Sequence, residues 1–181
     1  MLIGGLLLVV VAIAVGVYFL SRSGEKGINL TVLSDKVAMQ VREFHYTEVG
    51  DSETLWEIRA DSAQYIKSDE QVLLKSIQAR FVAADGQTYM LKGNDGLLYR
   101  DTRDIEVSGN VVVTSSVGDR LKTESLKYTA SDMAIHANGS VTMENPNIRL
   151  TGTGMKFSMK KRHMILFSDV KAIIDNVSFK R

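Results

Sequence analysis

The chain has 181 residues, which is one domain's worth, and its 22 basic and 21 acidic side chains almost cancel. Because no strongly basic field is present, we expect no nucleic-acid partner. The sequence contains no cysteine. Disulfides, thiolate metal ligands, a catalytic thiol and a lipid-modified N-terminal cysteine are therefore excluded.

The first twenty residues are almost entirely apolar and carry no charge. A helix of about twenty residues spans about 30 Å, the thickness of the hydrocarbon core of a bilayer. A cleaved signal peptide is the alternative, but the segment has no basic start and no small-residue cleavage site. We therefore predict a retained transmembrane anchor over residues 1–20, a polar tether over 21–34 and a β-domain over 35–181. Arg22 and Lys26 follow the anchor, and the positive-inside rule alone would place that side in the cytoplasm.

The β-domain opens with a segment that alternates apolar and polar residues. Val37, Met39 and Val41 share one face, and Phe44 and Tyr46 continue it after a slip of register. Period-2 alternation indicates a strand with one buried face. Its place at the start of the domain predicts an edge strand.

A pair of such segments then recurs at intervals of about 30 residues, which is typical of stacked supersecondary units. The first half of the unit places an apolar residue five positions after an aliphatic one and an aromatic two positions later. Its copies are Ile58, Ala63 and Tyr65; Leu121, Leu126 and Tyr128; and Leu150, Met155 and Phe157. The copy at Leu91, Leu97 and Tyr99 has one extra residue within 94–96, which predicts a β-bulge there.

The second half of the unit alternates strictly. Its copies are Ile105, Val107, Gly109, Val111 and Val113; Ile135, Ala137, Gly139, Val141 and Met143; and Met164, Leu166, Ser168, Val170 and Ala172. Glycine inside a strand indicates a bulge or bend, so we predict one at Gly109 and at Gly139. The position is Lys75 in the first copy and Ser168 in the last, and terminal repeats of a stack are usually atypical.

No helical period follows the anchor, and Asp85-Gly86 predicts a two-residue hairpin turn. The pattern therefore predicts an all-β domain of about ten or more meandering antiparallel strands, with two sheets that face each other as a sandwich or a rolled groove. Its apolar side is either a packed core or a slot for lipid. The candidate lining residues are Trp56, Ile58, Phe81, Val107, Val111, Leu121, Ile135, Val141, Leu150, Phe157 and Leu166.

Residues for chemistry are sparse. His45, His136 and His163 are the three histidines, and none has a partner at the spacing of a metal site or a catalytic triad. The acidic residues are scattered, so no acid–base pair can be assigned. We expect no catalytic residue, no metal site and no cofactor.

Three stretches carry a resemblance to a known family: residues 55–65 (LWEIRADSAQY), 105–111 (IEVSGNV) and 121–128 (LKTESLKY). Together with the anchor and the order of the repeats, they resemble the LptC family of inner-membrane proteins in lipopolysaccharide export. The resemblance covers about residues 1–175. It implies a twisted β-jellyroll in the periplasm, related to the bridge protein and to the outer-membrane translocon of the same system.

The resemblance also implies a function. A member of this family receives lipopolysaccharide from an inner-membrane ABC permease and passes it to a periplasmic bridge protein of the same fold. Family members stack edge to edge, and exposed strand edges pair readily with other chains. Val37, Met39 and Val41 would then face the permease, and Met164, Leu166, Val170 and Ala172 would receive the bridge protein. The alternative is a membrane-anchored β-solenoid scaffold for envelope assembly, with a dry core.

Overall fold

The computed structural model describes residues 37–49, 55–82, 86–158, 161 and 163–174, without the side chains of residues 37, 38, 48, 49 and 56. The predicted anchor and tether lie outside these ranges. Among the described residues, no helix has the length and hydropathy needed to cross a bilayer.

The described residues form nine strands in one open antiparallel sheet, whose spatial order is the order of the chain. The prediction of an all-β antiparallel meander is confirmed. The prediction of two facing sheets is wrong, because all nine described strands belong to one sheet, and their number is close to the predicted ten or more. The strands are β1 Val37–Val49, β2 Leu55–Ile66, β3 Gln71–Val82, β4 Thr88–Tyr99, β5 Ile105–Ser115, β6 Arg120–Thr129, β7 Ala134–Glu144, β8 Ile148–Ser158 and β9 His163–Ile174.

The connections between the described strands are short. Val82 at the end of β3 pairs with Thr88 at the start of β4. Residues 83–87 therefore connect the two strands. Asp85 lies outside the described residues, so the two-residue turn at Asp85-Gly86 stays a prediction. Gly86 has a left-handed backbone, with φ of 81°, as a turn glycine often does.

The inward-facing positions of most strands shift by one residue halfway along. In β6 they are Leu121 and Thr123 before the shift, and Leu126 and Tyr128 after it. Since side chains alternate at every residue, a strand that keeps its apolar side inward across a spacing of three must bend there. Register shifts interrupt the pairing at this level between all neighbouring strands from β4 to β9.

Left-handed residues mark these mid-strand bends. The predicted bend at Gly109 is confirmed: its φ is 76° and that of Asn110 is 52°. The atypical copies keep the bend without glycine, because Ser76 follows Lys75 with a φ of 54° and Asp169 follows Ser168 with a φ of 53°. A similar residue in β1, Glu43, has a φ of 53°. The bend is therefore a feature of the sheet and does not depend on glycine.

The structure shows both other predicted bulges, and one of them differs in detail. The pairing of β4 with β5 is irregular between Lys92 and Asp95, as expected. Lys92 pairs with Val112 and Asp95 with Ser108, so the additional residue of this pair is in β5. The predicted bulge at Gly139 is confirmed, because residues 138 and 139 of β7 lie opposite the single residue 154 of β8. Gly139 is not among the glycines with positive φ.

The bends divide the sheet into two halves that share one core. The apolar side of the sheet, here called the inner face, is buried in both halves, and its buried residues form a single cluster. Val111 and Ile135, for example, are both 0% exposed. A single sheet buries one face this completely when its halves fold toward each other. The architecture fits the predicted jellyroll.

Candidate functional site

Most of the predicted lipid-contacting residues lie together on the inner face, where they are buried in the core cluster. They are Ile58, Phe81, Val107, Val111, Leu121, Ile135, Val141 and Phe157. Leu150 and Leu166 are half-buried and pack against this cluster. The side chain of Trp56 is outside the described set, although its backbone in β2 pairs with Glu48 and Phe81. The sequence pattern thus predicted one contiguous apolar surface.

The centre of this surface is tightly packed, and glycines contribute to the packing. A Cβ at Gly93 would lie 2.5 Å from Cγ1 of Val107 on the neighbouring strand. A Cβ at Gly96 would lie 3.3 Å from Cβ of Leu74. Because protein interiors have little free volume, these positions accept no side chain without movement of a neighbour. In the described structure the centre is a filled core.

The margins of the inner face are more open than its centre. Val41, Phe44 and Tyr46 in β1 are half-buried against the cluster, as are Met164 and Leu166 in β9. Each of these strands has a neighbour on one side among the described strands, so part of its apolar surface is left uncovered. Exposed apolar surface on the inner face is therefore greatest next to the two edges.

The two edges are the predicted ones. β1 and β9 are the first and last strands of the sheet. The predicted contacts Val37, Met39 and Val41 lie on β1, and Met164, Leu166, Val170 and Ala172 lie on β9. The outer backbone groups of an edge strand are available for pairing with another chain.

The sequence prediction missed the apolar residues on the outer side of β9. Phe167 is 60% exposed, and Ile165 and Ile173 are also exposed. The Phe167 ring covers Gly154, where a Cβ would lie 2.7 Å from ring atom Cδ2. The sequence did contain a signal for them, because residues 164–167 are all apolar. A strand with one solvated face alternates apolar and polar residues, so four apolar residues in a row indicate apolar side chains on both faces.

The outer face of the sheet is polar and carries clustered charges. The carboxylate of Glu144 in β7 forms ion pairs with three basic side chains. Its oxygens lie 3.0 Å from Lys122 Nζ, 3.2 Å from Arg149 Nη2 and 3.9 Å from Arg120 Nη1. The hydrogen bond from Lys122 and the nearby positive charges hold the pKa of Glu144 below its ordinary value. All three cations are about half exposed, so the cluster stabilises the surface of β6–β8 only modestly.

A second carboxylate cluster joins β1 to β2. Arg59 Nε donates to Glu57 Oε1 at 2.7 Å, and His45 Nε2 lies 3.0 Å from the same oxygen. These contacts, led by the hydrogen bond from Arg59, lower the pKa of Glu57. The His45 contact adds at most modestly to the backbone pairing of β1 with β2.

The three histidines do not converge in the structure. His45 is in β1, His136 in β7 and His163 at the start of β9. Partial burial, together with Lys156 and Lys127, lowers the pKa of His136. Within the described ranges, no three His, Asp or Glu side chains are grouped as metal ligands would be.

Comparison with family models decides the relationship of the chain. The model described as "Lipopolysaccharide-assembly, LptC-related" matches residues 6–175. The chain belongs to the LptC family. The match covers the whole described sheet and begins inside the apolar segment 1–20. A search of curated proteins finds no match.

Membership of the LptC family implies a role in lipopolysaccharide transport. The geometry of the sheet is suited to that role in two respects. It presents one continuous apolar face, and among the described strands it ends in two unpaired edges.

Proposed function

We propose that this LptC-family protein is a transfer adaptor, which receives lipopolysaccharide from an inner-membrane ABC permease and passes it to a periplasmic bridge protein. The observation that carries the proposal is the continuous apolar face between two open strand edges in a chain of this family. Acyl chains need an apolar surface, and a strand edge joins the surface of one chain to that of the next. The adaptor itself catalyses no reaction, and the ATPase of the permease supplies the energy.

In this proposal the chain is held in the inner membrane by residues 1–20, with the β-domain in the periplasm. The uncharged apolar run and the start of the family match at residue 6 support the anchor. The basic residues Arg22 and Lys26 after the anchor run against the positive-inside rule, but two charges contribute little to orientation.

Lipid enters at the margins of the inner face, where Leu150, Met164 and Leu166 are half-buried. Contact with the fully buried Val111 requires the two halves of the sheet to separate at the bends. The adaptor therefore alternates between a closed, packed state and an open state. Acyl chains replace the contacts that the two halves make with each other.

Photo-crosslinking in cells tests this proposal. A photoreactive amino acid at Leu150 or Leu166 is expected to capture lipopolysaccharide, with less capture at Val111. The matched outward controls are Arg149 and Val112, which neighbour two of these positions in sequence. Equal labelling of inward and outward positions, or none at any inward position, would contradict transfer along the inner face.

A structural scaffold is the second candidate, and the packed centre of the inner face favours it. Ile58, Val111, Ile135 and Val141 are all 0% exposed, which is the state expected of a permanent core. A disulfide between introduced cysteines that locks the two halves together separates the candidates. The lock is expected to abolish lipopolysaccharide export if the face must open, and to leave envelope assembly intact if the domain is only a scaffold.

A further inference from the structure

The two edge strands have the same kind of residue at their mid-strand bends. Glu43 is the seventh residue of β1 and Asp169 is the seventh residue of β9. Both are exposed, and both have a left-handed backbone with φ of 53°. Left-handed backbone is uncommon for residues other than glycine, although asparagine and aspartate adopt it more often than most. Each edge of the sheet therefore carries an acidic side chain at a mid-strand bend.

The number of strands fixes the direction in which two copies of the chain can pair. In an antiparallel sheet of nine strands, β1 and β9 run the same way. A second copy that adds its β1 to β9, with its apolar face on the same side, therefore pairs in parallel. An antiparallel arrangement of these two strands would turn the apolar face of the second copy to the opposite side and interrupt the surface.

The residues that follow each bend set the register of this parallel pair. Phe44 in β1 packs against the core cluster on the inner face. In β9, Ala172 pairs with Leu150 of the inner face, and Val170 lies two positions before Ala172 on the same side. Phe44 and Val170 are the first inner-face residues after their bends. A continuous apolar surface therefore places Phe44 of one copy opposite Val170 of the other.

This register brings the two acids together. Glu43 and Asp169 directly precede the two aligned apolar residues, so they lie opposite each other. On the N-terminal side of the bends, the inner-face residues are Val41 and Leu166. They lie opposite each other if the pairing of β1 with β9 shifts by one residue at the bends, as the pairing of interior strands does. Like charges directly across a strand pair are destabilising, and parallel pairs are slightly weaker than antiparallel ones. The acids are the one carboxylate pair that this alignment creates between the described strands.

We propose that Glu43 and Asp169 keep copies of this chain from pairing head to tail. They thereby reserve β9 for a partner of the same fold, whose first strand has a neutral or basic residue at its bend. This inference rests on the proposed function for the requirement that the apolar faces lie on the same side. Asp169 Oδ2 accepts a hydrogen bond from Ser168 Oγ at 3.3 Å. Because a carboxylate can accept about four hydrogen bonds, Asp169 can still bind a basic residue of the partner.

A charge-reversal cycle on the full chain in detergent micelles tests the proposal. Sedimentation velocity gives the self-association constant of the wild type, Glu43→Lys, Asp169→Lys and the double variant. Each single reversal replaces a repulsive pair by an attractive one, so association is expected to tighten about tenfold. The double reversal restores repulsion and is expected to return to the wild-type value. Glu124→Lys, an exposed acid on the interior strand β6, is the matched control and should not change association.

Three results would overturn the proposal: a wild type that self-associates as tightly as the single variants, single variants that do not tighten, or a double variant as tight as the singles. Asp169→Asn is a second variant, since asparagine accepts a left-handed backbone and removes only the charge. It is expected to tighten association by a few-fold. None of these results depends on lipid capture by the inner face, so failure of the charge cycle and failure of the transfer function are distinguishable.

Discussion

Asn94 in β4 packs against the backbone of Gly109 in β5, so closely that a Cβ at Gly109 would lie 2.6 Å from Asn94 Nδ2. Gly109 also has a left-handed φ of 76°. Gly139 has the corresponding place in the next repeat, yet a Cβ there would meet no heavy atom within 4 Å. Gly109 and Gly139 are therefore equivalent in the repeat, but only Gly109 occupies a position that a side chain would strain.

Gly109→Ala is expected to lower the free energy of unfolding by about 2 kcal/mol, because alanine disfavours the left-handed backbone and its methyl group displaces Asn94. Gly139→Ala is the control. It is expected to be neutral or to stabilise by up to about 1 kcal/mol, through the reduced entropy of the unfolded chain. Urea unfolding followed by circular dichroism measures both, and equal effects of the two substitutions would contradict this assignment.

Gly93 and Val107 form a complementary small–large pair in the core. Gly93→Ala is expected to destabilise the domain by about 1–3 kcal/mol, because the new methyl group overlaps Cγ1 of Val107. Val107→Ala removes that atom but leaves a cavity, at a cost of about 2 kcal/mol. In the double variant the methyl group introduced at position 93 fills part of the cavity, so the destabilisation should be less than the sum of the two. Additive effects in urea unfolding would show that the side chains do not meet.

The surface cluster of Glu144 predicts a dependence of stability on acid and salt. Because the pKa of Glu144 is lowered on folding, its contribution is present above about pH 4.5 and is lost as the pH falls through the folded value. Glu144→Gln should therefore cost less than about 1 kcal/mol at pH 7, and this cost should shrink as the pH falls below about 4.5 and vanish once Glu144 is protonated in the folded protein. High salt should reduce the difference at pH 7. A difference between variant and wild type that does not decrease as the pH falls would assign the effect to packing.

Two charged neighbours, Lys156 and Asp132, shift the pKa of His136 in opposite directions. Its pKa is expected below 6.5 in NMR titration, mainly because of partial burial. Lys156→Met should raise the pKa of His136, and Asp132→Asn should lower it further. Since folding lowers this pKa, the contribution of His136 to stability is present above pH 6.5 and decreases as the pH falls through that value. Shifts of the same sign in the two variants would contradict the described surroundings.

The sequence was sufficient for the strands, their order and the apolar face. Alternation such as Ile105, Val107, Val111 and Val113 follows from the two-residue period of a strand, so it is visible without coordinates. Whether two halves of one sheet or two separate sheets cover that face depends on the bends. The bend at Gly109 has a sequence signal in glycine.

The bends at Ser76 and Asp169 have no glycine to indicate them, although both residues have a left-handed backbone. The same limit applies to the site. Alternation assigned Leu166 and Val170 to β9 as partner contacts, but it passed over Phe167 on the other side of the strand. An edge strand lacks a neighbour on one side, so more of its surface on both faces stays uncovered than in an interior strand. Edge contacts therefore need the observed exposure of each side chain.

The strictly sequential order of the nine strands bears on how the domain is made. Every strand pairs only with its neighbours in the chain, so the first hairpin needs nothing that is synthesised later. Folding dominated by such short-range pairing is fast, and it can spread from any hairpin outward. A chain that emerges N-terminus first can add one strand at a time to a growing sheet. Among the described strands, β9 is then the last to be ordered, so the edge proposed to receive the bridge protein forms only after β1 to β8 have been synthesised.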